Sequence, residues 1–135
     1  MKTNVNVIAV FSPDRKRLLF CKRRRDPYKG RYNFVGGHID PGEDGFDAAY
    51  RELQEETGIS RDDITLQHGM DFLYYTDDIR LEIYYGVLNH EVAVHGEEND
   101  LEWLSPDENF FDTNRFAGDG NIGHILISII RSMER

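Results

Sequence analysis

Phe46, Ala49, Tyr50, Leu53 and Thr57 recur at three- and four-residue steps, so the stretch from Asp44 to Thr57 reads as one amphipathic helix. Asp44 is its expected N-cap, with Asp47 at the third helical position as a weak form of the capping box. Gly58 should end it as a left-handed C-cap, with Ile59 as the accompanying hydrophobic contact. Before the helix, Val5–Phe11 is an apolar run stopped by Ser12-Pro13-Asp14, and Leu18–Cys21 follows as a second strand. Arg31–Val35 predicts a further strand running into Gly36-Gly37. After the helix, Ile64–Tyr75 and Arg80–Leu88 predict two strands joined at Thr76-Asp77-Asp78, the second alternating at Leu81, Ile83, Tyr85 and Val87. Val92-Ala93-Val94 suggests a short strand in an acidic loop, Leu101–Leu104 a brief one around Trp103, and Pro106–Asn109 a helical turn. Ile122, Ile125, Leu126, Ile129 and Ile130 mark a last helix from Asn121 to Met133. The order of strands, helix, strands, helix predicts a single α/β domain over residues 1–135, a mixed sheet with a helix on either face.

The first helix carries a defect. Glu52, Glu55 and Glu56 stand three and four residues apart, where like charges repel by roughly 0.2–0.5 kcal/mol per pair. They also crowd the C-terminal turn, where the macrodipole is negative and cations are favoured. A solvated acidic face is one reading; a bound cation is the other. The bulk numbers narrow the setting. At 135 residues the chain suits one domain. A formal net charge of −9 disfavours nucleic acid or an anionic membrane as partner, without excluding a small anion in a locally basic or metal-loaded pocket. The lone cysteine, Cys21, rules out an internal disulfide and a thiolate zinc cluster, and its apolar neighbours mark it as a core residue. No signal peptide is visible and no apolar run approaches the ~18 residues of a membrane span, so a reducing cytoplasm is expected.

The charged positions then fall into a pattern: Gly37, five residues, Glu43, seven residues, Arg51-Glu52-Leu53, one residue, Glu55-Glu56, one residue, Gly58-Ile59. At ~7% per residue type such a match arises by chance at one position roughly once in 10⁹, so it outweighs any single glutamate. The segment resembles a complete Nudix box, the signature of the Nudix hydrolases, and the flanking strand order resembles MutT-like members. The resemblance implies an α/β/α sandwich with a mixed sheet between helices, and water attack at phosphorus in a nucleoside diphosphate linked to another group. It implies Glu52, Glu55 and Glu56 as metal ligands and catalytic groups, with the Gly37 carbonyl as a further ligand. Glu52 or a neighbouring box glutamate would be the general base. Arg51 would hold the glutamates in place, and Glu43 would fix the loop through that arginine. Carboxylate donors without thiols favour Mg²⁺, with Mn²⁺ as a substitute.

Beyond the box, the resemblance implies one more metal-binding glutamate ahead of Trp103, Glu97 in preference to Glu98. It also implies a phosphate contact from Arg23 and base contacts from Asn33 or Tyr32 and from Asn121, which is otherwise an N-cap. Tyr28, Phe110, Phe111 and Phe116 read as core or lid packing. His38, His68, His95 and His124 have no ligand spacing. Two positions depart from the common family pattern: Val35 stands where proline precedes the glycine pair, and Tyr32 where tryptophan is common. The expected substrate is a nucleoside triphosphate, including an oxidised or non-canonical one, giving monophosphate and pyrophosphate. The alternatives are a diphosphate-X compound (ADP-ribose, a nucleotide sugar or a dinucleoside polyphosphate) and a domain that binds nucleotides without cleaving them. The resemblance implies a monomer or homodimer.

Overall fold

The protein is described over residues 2–134 of a computed structural model. The chain runs β1 (Thr3–Phe11), β2 (Leu18–Lys22), β3 (Tyr32–Asn33), α1 (Gly45–Thr57), β4 (Gln67–Tyr74), β5 (Ile79–Val87), β6 (Asp100–Leu104) and α2 (Asn121–Met133). β1 and β5 lie parallel from Thr3 opposite Ile79 to Phe11 opposite Val87. β4 flanks β5 antiparallel, with a register shift between His68 and Asp71. β2 meets β1 at Phe11 opposite Leu18, then pairs with β3 on one side and β6 on the other. The mixed sheet therefore has the order β3-β2-β1-β5-β4, with β6 beside β2.

Strand alternation splits the core. Ile8, Val10, Leu19 and Cys21 face Ala49 and Leu53 of α1, whereas Ala9, Phe11, Leu18 and Phe20 face Ile122, Ile125, Leu126 and Ile129 of α2. The two helices thus cover opposite faces, the sandwich expected from the element order. Phe110 and Phe116 fill the α2 side against Phe20, and Cys21 is buried as a core thiol. Phe111 remains half-exposed with its edge against His124. Among the described residues no helix is long and apolar enough to cross a membrane.

Several element limits differ from the sequence expectation. The strand expected over Arg31–Val35 shortens to two residues because the Phe34 N–H turns onto Asn33 Oδ1 at 2.9 Å. Val35 and His38 instead touch β1 through isolated bridges to Ile8 and Val5. The strand expected from Ile64 starts at Gln67, Ile64 making only a bridge to Leu88. Val92-Ala93-Val94 forms no strand: the two valines pack on the α1-side core while their backbone lacks a partner strand. Pro106–Asn109 makes turns and no helix.

The helix ends show why caps are read best where the side chain does the work. Asp44 Oδ2 accepts from the N–H groups of Phe46 and Asp47 at 3.0 and 3.2 Å. The reciprocal half of the capping box is missing, since the Asp47 carboxylate pairs with Arg61. At the other end Gly58 sits at φ 82° and donates its N–H to Gln54 O at 2.9 Å. Asn121 is not an N-cap. Asp119 and Gly120 both have positive φ, 54° and 92°, so the chain enters α2 through Gly120 and Asn121 is already helical.

Asp44→Ala should therefore lower the free energy of unfolding by about 1 kcal/mol in urea titration, the usual value of a lost N-cap. Asp47→Ala, which removes an exposed ion pair, should cost less than half of that.

Candidate active site

Segment 33–38 is held against the edge of β1 and under the end of α1. Asn6 donates its backbone N–H to Gly37 O at 2.8 Å, and its side-chain Oδ1 accepts the Gly37 N–H at 2.9 Å. Gly36 donates its N–H to Glu56 Oε2 at 3.0 Å, tying loop to helix. A Cβ on Gly37 would overlap the Glu52 carboxylate, so only glycine lets backbone and glutamate approach this closely. The Gly37 carbonyl uses one lone pair on Asn6 and keeps a second.

Arg51 organises the charges behind this contact. Its Nε and Nη2 donate to both oxygens of Glu43 at 2.8 and 2.9 Å, its Nη1 to Glu52 at 3.0 Å and Glu55 at 3.3 Å, and its Nη2 also to His38 O at 3.0 Å. The bidentate guanidinium, helped by the Asp40 N–H, holds Glu43 down at about 2. Arg51 itself lies on the outer side of α1 and does not line the cleft that the glutamates face. It is a positioning residue by its placement.

That cleft measures about 860 Å³ and is walled by Gly36, Gly37, Glu52, Glu55, Glu56 and, opposite them, Arg23, Glu97 and Glu98. Burial pushes the Glu56 carboxyl up to about 7, with repulsion from Glu52, Glu98 and Glu55 adding to it and the Gly36 N–H opposing it. Glu97 and Glu98 both line the cleft with Glu56, and Glu98 adds to the repulsion there. Arg51 supplies one positive charge to four carboxylates, Glu43, Glu52, Glu55 and, at 3.8 Å, Asp40, and is paired with none of Glu56's oxygens. The donors are carboxylate and carbonyl oxygens arranged around an excess of negative charge, and that set fits a hard divalent cation such as Mg²⁺.

Asn33 and Asn121 do not reach this cleft. They line a second groove of about 420 Å³ on the α2 side, with apolar walls from Val5, Val7, Leu81 and Ile125. Segment 33–38 joins the two: Asn33 and Phe34 border the groove, Gly36 to His38 the cleft. Gly58 contributes only its cap. Asn6 is the residue the sequence reading missed. It is buried, and the signal for it was a carboxamide inside the apolar run Val5–Phe11. His68, Asp71 and Glu82 also cluster, with ligand atoms within 4.8 Å of one another. Arg80 lies 2.7 Å from Asp71 and 3.7 Å from Glu82, and the Tyr84 hydroxyl donates to Glu82 at 2.6 Å, so these carboxylates already have their partners.

The profile of the NUDIX domain matches residues 2–123. The chain belongs to the Nudix hydrolase family. The nucleoside triphosphatase NudI of Escherichia fergusonii is 31% identical over 108 residues, covering 67% of this chain and 74% of its own. The ADP-ribose pyrophosphatase of Methanocaldococcus jannaschii is 40% identical over 55 residues, 41% of this chain but only 32% of its own length. Among solved structures, the Ap4A hydrolase of C. elegans superposes with a TM-score of 0.75 at 20% identity, covering 96% of this chain and 98% of its own. This Nudix fold places every glutamate of the box signature on the cleft or on Arg51.

Glu56 gives a pH-dependent test. Its folded value, about 7, lies above the ordinary 4.5, so ionising it destabilises the metal-free fold as pH rises through that window. Without metal, Glu56→Gln should melt above wild type at pH 8, the gap closing towards pH 5. Mg²⁺ should raise the melting temperature of wild type and have little effect on the variant, as read by scanning calorimetry.

Proposed function

We propose that this Nudix hydrolase cleaves a nucleoside triphosphate, including oxidised or non-canonical ones, to a monophosphate and pyrophosphate. The observation that carries the reading is the juxtaposition on segment 33–38. A carboxylate-walled cleft with Arg23 on its rim lies on one side, and an apolar, ring-sized groove with two carboxamides lies on the other. A nucleotide needs both: oxygen-ligand chemistry for its phosphates and a flat apolar slot for its base. Glu52, Glu55, Glu56 and the free lone pair of Gly37 would hold Mg²⁺, with Glu97 or Glu98 from the facing loop. The bound cation would offset charge on the phosphate oxygens and lower the pKa of water.

The chain's own groups do the rest. Arg51 donates to Glu52 and Glu55, which orients the carboxylates before substrate arrives. Glu52, or a neighbouring box glutamate, takes the proton from the attacking water as the oxygen bonds to phosphorus and the bridging oxygen departs. Arg23 donates to phosphate oxygens. Asn33 and Asn121 offer carboxamide donors and acceptors to the base edge.

A second reading is a diphosphate-X substrate. It is favoured by the ADP-ribose pyrophosphatase and Ap4A hydrolase relatives, and by the NUDIX domain of Shewanella oneidensis NrtR, solved with ADP ribose, at a TM-score of 0.74 and 14% identity. A silent nucleotide-binding domain is disfavoured because each box residue is present.

A nucleotide panel with Mg²⁺ and product identification separates the readings: release of a sugar phosphate in place of pyrophosphate overturns the first. Glu52→Gln and Glu56→Gln should each cut kcat by about 10²-fold or more while circular dichroism stays unchanged. Asn33→Ala and Asn121→Ala should raise KM by about tenfold with a smaller change in kcat, the signature of lost uniform binding. A comparison of Glu97→Gln with Glu98→Gln should show a rise in Mg²⁺ requirement at the one that completes the cation site, since both line the cleft with Glu56.

A further inference from the structure

We infer that Arg25 reads the terminal phosphate of the substrate, so that the rim of the cleft selects a triphosphate over a diphosphate. The inference rests on the nucleoside triphosphate reading above and names a specificity residue for it.

The hairpin between β2 and β3 is pinned by its own backbone. Arg23 donates its N–H to Arg31 O at 3.0 Å, Gly30 donates to Arg23 O at 2.8 Å, and Arg23 Nε donates to Pro27 O at 2.6 Å. The last of these occupies Nε and leaves the two terminal nitrogens of Arg23 for the cleft that it lines. Arg24 is spent on the protein: its Nε and Nη2 donate to Asp100 Oδ1 at 3.1 and 2.6 Å. Arg25, exposed, has no side-chain partner among the described residues.

Arg25 also lines a smaller recess of about 340 Å³ that shares Arg23, Glu97, Glu98 and Asn99 with the main cleft. Arg24 lines the recess as well, but its guanidinium is held by Asp100. Arg23 borders both spaces, and Arg25 borders only the far one. A phosphate chain anchored among the box glutamates meets Arg23 first, and only its far end enters the recess with Arg25. On this assignment a diphosphate, one phosphate shorter, stops at Arg23. The guanidinium is a planar fork of fixed charge that matches phosphate oxygens, and of the two arginines in this recess without a carboxylate partner among the described residues, Arg23 and Arg25, only Arg25 stands outside the main cleft.

The test is calorimetric binding in Mg²⁺ of α,β-methylene analogues of the four deoxynucleoside triphosphates and diphosphates, and of ADP-ribose, to wild type, Arg25→Ala and Arg25→Lys. Arg25→Ala should weaken the triphosphate analogue about tenfold more than the diphosphate analogue of the same nucleoside, the effect of about 1.4 kcal/mol. Arg25→Lys should recover part of the loss by restoring charge without the fork. Equal losses on both analogues, no loss, or a comparable loss on ADP-ribose would overturn the assignment while leaving triphosphate binding intact. Wild type binding ADP-ribose but none of the triphosphate analogues would overturn both this assignment and the reading it rests on.

Discussion

Negative charge concentrated in the last two turns of α1 is the constraint on which the rest of the site depends. Glu52, Glu55 and Glu56 repel one another and the negative end of the helix dipole, and no basic residue occupies the last turn. The fold relieves this in two ways that do not overlap. Arg51 gathers Glu52 and Glu55 together with Glu43, which ties the loop before the helix to the helix itself. Glu56 turns inward instead and takes the Gly36 N–H. Loop and helix are thereby mutually dependent, and a side chain at Gly37 would displace the Glu52 carboxylate from its present place.

The sheet converts that local knot into a two-sided device. Because successive residues of β1 face opposite helices, Asn6 points to the α1 side and fixes Gly37, while Val5 and Val7 wall the groove below α2. Segment 33–38 runs between the two. Its early departure from β3, caused by the Asn33 side chain accepting the Phe34 N–H, carries the glycines from the sheet to the helix end. A carboxylate-walled cleft and an apolar groove consequently share one short stretch of backbone.

An acidic protein that handles an anionic ligand must reverse its field locally. With a net charge of −9, long-range attraction is unfavourable, and the β2–β3 hairpin supplies the positive charge beside the carboxylate cleft. Within the hairpin the charges are not equivalent. Arg24 belongs to Asp100, whereas Arg23 and Arg25 face open space. Four adjacent basic residues look alike as a sequence; their neighbours across β6 separate them.

The box spacing, the amphipathic period of α1 and the alternation of β5 were legible from residue order alone, since each depends on contacts within a few residues. Asp44 and Gly58 were legible as helix ends for the same reason: their chemistry acts on the next turn of chain. Asn121 was misread because the cap depends on the φ of Gly120, which side-chain chemistry does not reveal. The strand expected at Val92–Val94 failed because a strand needs a partner, and pairing is decided by the rest of the sheet. Tertiary structure alone decided that Asn33 and Asn121 share a groove apart from the carboxylates and that Arg51 stands outside the cleft. It also brought Asn6 under Gly37 and raised Glu56 by burial. These are properties of distance and dielectric, and both arise only when segments far apart in the chain are packed together.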